Sequence, residues 1–375
     1  MAAISIKEIT SKSDIKKFID FPHSLYAGDK NYVPELFIAQ KEMMDKKKYP
    51  FFDYAETAMF LAYQNDEIVG RIAAIHNSRY NDFHNSNVGF FGFLDFIDSQ
   101  EVLDKLLESA EQWLKGRGLH DMIGPTNYST NETAGILIDG FDRPPMLMMT
   151  YNKKYYQKLL EQAGCVKEMD LYAYMIYTKN ASQKSIRIAQ ALEQRLAKNG
   201  ITVRNINLKK LKEEVPKIKE IYNSAWENNW GFVPFTDKEF DHLRANLGMI
   251  ADQDYLFIAE KDGKAIGFGI TLPDINEVTI DIKKGRLLPT GIFKLLFNKS
   301  KIKYVRVLAL GVMEEYRKMG IEALFFAKNI QTAEKKGHLG GEASWILESN
   351  DMMVKAAENL NGEKYKTYRL YRKKF

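Results

Sequence analysis

"MFLAYQNDEIVGRIA", residues 59–73, and "LFIAEKDGKAIGFGI", residues 256–270, align end to end without a gap. Phe60 matches Phe257, Ala62 matches Ala259, Val69 matches Ile266 and Gly70 matches Gly267. Each stretch is an apolar strand, a polar turn ("QND", "KDG") and a second apolar strand, the pattern of a β-hairpin. Hairpins resemble one another, so the surroundings decide whether this is a repeat. A strand-like run follows each ("VGFFGFLDFI", 88–97; "KYVRVLALGV", 303–312), then an amphipathic helix ending in Gly ("VLDKLLESAEQWLKGRG", 102–118; "ALFFAKNIQTAEKKG", 323–337). Another strand and helix follow, and each half closes in a tyrosine-rich strand, "KEMDLYAYMIY" (167–177) and "EKYKTYRLY" (363–371). One order of elements thus occurs twice around a helical segment at 182–200. The pattern predicts two copies of one α/β unit, residues 1–178 and 201–375, joined by a connecting helix in 179–200.

Composition agrees with this division. The chain has 375 residues, about twice the usual domain size, with 45% apolar and 27% charged residues, the mix of an ordinary folded protein. A net charge of +5 is small for that length and implies no nucleic-acid partner. The start "MAAISIKEIT" is not a secretory signal, and no run of about 18 apolar residues occurs, so the reading expects a cytoplasmic protein without a membrane partner. Cys165 is the lone cysteine, which excludes an intrachain disulfide or a thiolate cluster. The six histidines fall at no zinc-like spacing, and no metal is expected.

The second copy contains "GVMEEYRKMGIEA" (311–323), a tight connection between a buried strand and a helix whose apolar face carries Leu324, Ala327 and Ile330. The first N–H groups of a helix lack intrahelical partners and carry the positive end of its dipole, a geometry that suits a pyrophosphate. Gly320 lets a phosphate approach the backbone, and Arg317 and Lys318 supply charge beside it.

Hairpin, strand, basic turn with glycine, helix and strand, with "LESN" (347–350) before the next helix, resemble the GNAT acyltransferase superfamily, whose coenzyme A loop reads R/Q-x-x-G-x-G/A. Arg317 and Gly320 fill its first two fixed positions, and Glu322 stands at the third, which places a carboxylate near the expected pyrophosphate. The whole chain, through "GDKNYVP" (28–34), "AWENNWGFVPFT" (225–236), "GRLLP" (285–289), "SWILESN" (344–350) and "YKTYRLY" (365–371), resembles bacterial tandem-GNAT proteins. The resemblance implies two tandem units, each a mixed, largely antiparallel sheet flanked by helices. It also implies an acyl-coenzyme A co-substrate, acetyl-coenzyme A or a longer one, held by Leu310, Val312, Met313, Arg317, Lys318, Gly320, Ile321 and Asn350, with oxyanion donors among the N–H groups of Leu310 to Met313, Val312 and Met313 foremost. In the first copy, "GFFGFLDFIDSQEVLDKL" (89–106) stands at the loop position with Asp95, Asp98 and Glu101, which repel phosphates, so that copy is expected to have lost coenzyme A binding.

The family's tyrosine acid, seven residues after Asn350, is Ala357 here. Tyr365 and Tyr368 on the closing strand are candidate acids, although aromatic strand residues commonly pack cores. Glu314, Glu315 and Glu348 are candidate bases, Glu348 foremost because it sits at the carboxyl end of a predicted strand. Trp226, Asn229, Trp230 and Phe232, beside Asn228, form a candidate wall for an amphipathic or acyl-bearing acceptor, the acceptor overall being expected as a small amine or amino-acid-like molecule, with Trp226 and Trp230 on one face if the segment is helical; packing is the competing reading. The leading function is acyl-coenzyme A-dependent N-acyl transfer by the C-terminal copy. The alternatives are an inactive GNAT-fold binding protein, which Glu322 and Ala357 favour, and a tRNA-dependent aminoacyl transferase, which the absence of sustained heptads disfavours.

Overall fold

Strand alternation and turn chemistry at residues 59–73 are realised in a ten-residue strand and its partner, and the same construction recurs in the second half. The computed structural model describes residues 3–227, 229–248 and 250–375. Two compact units result. Unit 1 comprises the chain up to Asp170 together with Val278–Lys299 and Lys366–Phe375, and unit 2 comprises Leu171–Glu277 and Ser300–Tyr365.

Unit 1 contains β1 (Ser5–Glu8), β2 (Ala55–Gln64), β3 (Glu67–Asn77), β4 (Gly89–Phe96) and β5 (Asp121–Gly124), the short pair β6 (Thr126–Asn127) and β7 (Thr133–Ala134), and β8 (Ile136–Asp139). Its helices are α1 (Lys12–Leu25), α2 (Phe37–Met43), α3 (Ser78–His84), α4 (Gln100–Lys115) and α5 (Tyr155–Gln162). The strand β9 (Val166–Tyr177) leads into unit 2, which holds α6 (Gln183–Lys198), β10 (Ile201–Asn205), α7 (Leu211–Ala225), α8 (Asp237–Gly248), β11 (Leu256–Lys261) and β12 (Lys264–Pro273). After α9 (Asn276–Thr279) and α10 (Ile292–Asn298) come β13 (Tyr304–Val312), α11 (Ile321–Lys336), β14 (Gly340–Leu347), α12 (Asp351–Asn359) and β15 (Glu363–Lys374).

Both hairpins turn through two residues of positive φ, Asn65 and Asp66 in one and Asp262 and Gly263 in the other, as a type I′ turn requires. Both also carry a register shift at the same aligned place, after Ala62↔Gly70 and after Ala259↔Gly267. The repeat therefore extends to its irregularities. In unit 1 the sheet order is β1-β2-β3-β4-β5, and the Lys366–Lys374 part of β15 pairs antiparallel with β5 and β8. In unit 2 the order is β9-β14-β13-β12-β11-β10, with β13 and β14 parallel and the other neighbours antiparallel. The fold is mixed α/β with largely antiparallel sheets.

The units depart from the expected sequential boundaries at 178 and 201. Each copy's closing strand completes the sheet of the other unit, and Val278–Lys299, from the second half of the sequence, belongs to unit 1. Local pattern marks a closing strand; it does not say which sheet receives it. The cores follow the helical stripes: Val102, Leu103, Leu106, Leu107, Ala110 and Leu114 of α4 pack in unit 1, and Ile321, Leu324 and Phe325 of α11 pack with Phe257, Ile266 and Val312 in unit 2.

Candidate active site

The central strand of unit 2 loses a neighbour halfway along. β14 pairs with β13 from Tyr304↔Gly340 to Val307↔Ala343, then diverges while staying paired with β9 as far as Leu347. On the opposite edge β13 remains paired with β12 up to Val312↔Gly267. Val307–Leu310 are all half-buried, an opening in an otherwise covered strand. Met313 N–H donates to the Ile266 carbonyl at 2.9 Å, so Met313 and Gly311 turn toward β12 and, by alternation, the N–H groups of Leu310 and Val312 face the gap. The bond to Ile266 thus occupies the Met313 N–H, while those of Leu310 and Val312 lie on the side of the strand away from β12.

At the vertex of this gap lies a charged cluster. Arg306 and Glu342 are register partners on β13 and β14, 2% and 0% exposed, with Arg306 Nε 3.6 Å from Glu342 Oε1. Arg306 Nε donates to Ser344 Oγ at 2.9 Å, Ser344 Oγ donates to Glu342 Oε1 at 2.5 Å, and the phenol of Tyr365 donates to Glu342 Oε2. Buried ions persist when paired and fully hydrogen-bonded, and every member here has partners. Half-buried Tyr365 is the member a ligand reaches most readily. Sequence reasoning missed Arg306, Glu342 and Ser344. The signal was there: each half of the ion pair is a lone charge in an apolar strand, "YVRVLALGV" (304–312) and "GGEASWIL" (340–347).

The loop expected to hold coenzyme A is built as a helix start. Lys318 and Gly320 have φ of +65° and +91°, Gly320 is the N-cap of α11, and no side chain caps that end. The N–H groups of Ile321, Glu322 and Ala323 precede the first intrahelical bond, from Leu324 to the Gly320 carbonyl. Lys318 is exposed beside them. Two features differ from the expectation. Arg317 is not free to reach a phosphate, because its Nη2 donates to the Ala225 carbonyl at 2.5 Å and its Nε to the Val312 carbonyl at 3.4 Å, bracing the loop against the end of α7. A Cβ on Gly320 would lie 2.7 Å from Leu192 Cδ1 of α6, so this face of the glycine is occupied by a helix contact. Glu322 folds back onto its own N–H; burial pushes its carboxyl above the ordinary range despite the nearby Arg317 cation. A carboxylate thus already sits in the positive end of α11.

The other expected residues are dispersed. Asn350 caps α12, its Oδ1 accepting from Met353 N at 3.1 Å, so its amide is structural. Glu348 is half-buried just past β14, and Glu314 and Glu315 are exposed. Tyr368 belongs to unit 1, fully buried opposite Leu137, and does not join the Tyr365 cluster. Helix α7 ends at Ala225, so Trp226 and Trp230 do not share a helix face. The ring of Trp226 meets Tyr222 at 4.2 Å within the unit 2 core, and buried Phe232 meets Tyr222 at 5.6 Å; Asn229 N–H donates to the Trp226 carbonyl in a turn. Trp226 and Phe232 therefore pack against Tyr222. Asn228 lies outside the described residues.

No family model matches the sequence. Two curated proteins match almost end to end: protein YghO of Escherichia coli (strain K12), 35% identical over 98% of this chain and 95% of its own length, and the bacterial ceramide synthase of Caulobacter vibrioides (strain NA1000 / CB15N), 35% identical over 99% and 98%. Among solved structures, a tandem GNAT protein from the clavulanic acid biosynthesis pathway covers 99% of this chain and 98% of its own, with a TM-score of 0.57 at 10% identity, a likeness of fold. The chain has the tandem-GNAT fold. It belongs to the same family as YghO and the bacterial ceramide synthase.

The first copy of this tandem-GNAT chain shows the same parting of strands, but filled. β4 and β5 pair only through Gly89↔Met122 and Phe90↔Ile123, and the segment after β5 then turns into the opening. Phe93 N–H donates to Asn127 Oδ1 at 2.7 Å, and a Cβ on Gly92 would lie 1.6 Å from the Thr126 carbonyl oxygen. Tyr128 is fully buried, its phenol donating to the Met43 carbonyl at 3.1 Å. The polar loop "IGPTNYSTNETAG" (123–135) thus plugs this opening. Nearby, Asp95 is clamped by Arg71 at 2.7 Å and by Tyr26 at 2.9 Å in a buried network.

Proposed function

We propose that this tandem-GNAT protein is an N-acyltransferase that works through unit 2, taking an acyl group from a coenzyme A thioester to the primary amine of a long-chain amphiphile. The observation that carries the reading is the open edge of β13, with two N–H groups facing a gap whose vertex holds Tyr365 on Glu342. The amine attacks the thioester carbon, and the developing oxyanion is met by the N–H groups of Leu310 and Val312. The C–S bond breaks as the amide forms. The thiolate takes a proton from Tyr365, and the proton released by the amine returns to that phenol, which Glu342, itself paired with Arg306, holds in place. Support for the acceptor class comes from the name of the Caulobacter relative, since a ceramide is the amide of a long-chain amino alcohol. The small amine and acetyl donor expected from sequence become the comparison substrates.

Thermal unfolding with acetyl-, palmitoyl- and free coenzyme A tests the donor. Ligand at about 100 times its dissociation constant adds roughly 2.7 kcal/mol of stability, a readily measured rise in melting temperature. A rise with the thioesters but no thiol release with any amine favours the inactive binding protein, for which the occupied helix end at Glu322 is the supporting observation. No rise with any of the three overturns the assignment of the loop.

Glu322 makes donor binding depend on pH. Its raised carboxyl is neutral below its folded-state value and anionic above it, so affinity for the polyanionic donor is expected to tighten as pH falls through that value. The same sign governs stability: the contribution of neutral Glu322 is complete below its ordinary value of 4.5 and is lost as pH rises through the raised one. Glu322→Gln is expected to bind about tenfold tighter at neutral pH, the modest end of what one charge exerts near a protein surface, and to flatten the pH profile. Calorimetric titration of both proteins across pH decides it, and equal affinities would place Glu322 away from the phosphates.

A further inference from the structure

Helix α10 is amphipathic in the wrong sense for a helix packed only by its apolar face. Phe293, Leu296 and Phe297, at the i, i+3 and i+4 spacing of one helical stripe, are 57%, 66% and 74% exposed, and Leu288 just before them is 78% exposed. The Phe293 and Phe297 rings stack at 6.4 Å with an interplanar angle of 12°. A contiguous exposed cluster of this kind marks a contact surface.

The base of the segment is fixed to unit 1. Arg286 forms a two-pronged ion pair with Asp20, at 2.8 and 2.9 Å, and lies 3.9 Å over the Phe37 ring. A Cβ on Gly285 would fall 1.8 Å from the Glu35 carbonyl oxygen, and Ile282 is buried. Lys294 Nζ closes back on the Asp281 carbonyl at 2.7 Å. The apolar stripe is therefore presented by an anchored platform. Around it Lys283, Lys284, Lys294 and Lys299 are exposed, and between Lys283 and Lys299 the sequence has no Asp or Glu.

We infer that this face docks the protein on an anionic lipid bilayer, with Leu288, Phe293, Leu296 and Phe297 entering the headgroup–acyl boundary and the lysines meeting lipid phosphates. Apolar side chains framed by lysines are the two signals that surface binding needs. A second copy of the chain is disfavoured as the occupant, because it would bring the same lysines face to face. Surface docking requires no spanning segment, and no helix among the described residues is long and apolar enough to cross a membrane. The absence of a span, from which sequence reading expected no membrane partner, therefore leaves this mode open. The inference does not depend on which acyl group is transferred.

Co-sedimentation of the full chain with vesicles tests it. Binding is expected to vesicles of mixed phosphatidylglycerol and phosphatidylethanolamine, to weaken in 0.5 M salt as expected of a screened surface contact, and to be weak on phosphatidylcholine alone. Phe293→Ser/Leu296→Ser/Phe297→Ser, which alters exposed side chains and should melt where the wild type does, is expected to bind at least about tenfold more weakly. Lys283→Ala/Lys284→Ala should lose about an order of magnitude on anionic vesicles alone. No wild-type binding, or a triple-serine variant that sediments as the wild type does, overturns the proposal. So does a dimer in gel filtration that the triple variant dissociates, which would assign the face to a second copy.

Discussion

Tyr365→Phe is expected to lower the turnover number by about 10²–10⁴-fold, the range of a positioned proton donor, while the protein remains folded. The substitution removes one hydroxyl from Glu342, which keeps Ser344 and Arg306 as partners, so the stability loss should stay near the roughly 1.5–3 kcal/mol of a hydrogen bond to a charged group. Glu342→Gln separates the two roles from the other side. It strands the Arg306 guanidinium in the sheet without a counter-charge, and breaking a buried pair in this way costs about 3–5 kcal/mol, visible as a large fall in the urea midpoint. Thiol release measured with palmitoyl-coenzyme A and a long-chain amine, beside urea melts of both variants, distinguishes chemistry from scaffolding. Turnover unchanged in Tyr365→Phe would take the phenol out of the reaction and leave the cluster a purely structural one.

Residues 1–178, expressed alone, are expected not to fold. Sequence alone makes this fragment a complete copy, with hairpin, helices and closing strand. In the structure its sheet lacks the partner of β5 and β8, because Tyr371–Lys374 and Thr367–Arg369 of β15 supply it. The fragment also loses fully buried Tyr371, the Arg372 partner of Glu168 at 2.7 Å, and the Arg369 partner of Asp170 at 2.7 Å, leaving Asp170 its ion pair with Lys167 at 3.0 Å. A domain's whole stability is about 5–15 kcal/mol, and losing a central strand exceeds that margin. The reciprocal fragment, 201–375, lacks β9 beside β14. Far-UV circular dichroism and urea titration of each fragment, and of the two mixed, provide the measurement. A cooperative transition from 1–178 alone would show that its sheet is sufficient without β15, whereas recovery only on mixing would confirm that the closing strands bind the halves together.

Much of this protein is determined locally. The type I′ turns at Asn65-Asp66 and Asp262-Gly263, the stripes of α4 and α11, and the glycine that opens α11 are all matters of a few neighbouring residues, and the duplicated order of elements made two copies of one α/β unit legible, their resemblance to GNAT proteins supplying the fold. What the tertiary structure decided are the relations between residues distant in the chain. Arg306 and Glu342 are 36 positions apart and meet only because β13 and β14 run parallel up to Val307 and Ala343 and then part. Tyr365 and Tyr368, three positions apart, serve different units. Arg317, a plausible phosphate ligand in a loop read alone, is committed to a carbonyl of α7. Periodicity reports which face of an element is apolar, but which element covers that face, and whether an opening is left or plugged as at Asn127, is settled by long-range packing that no local window contains.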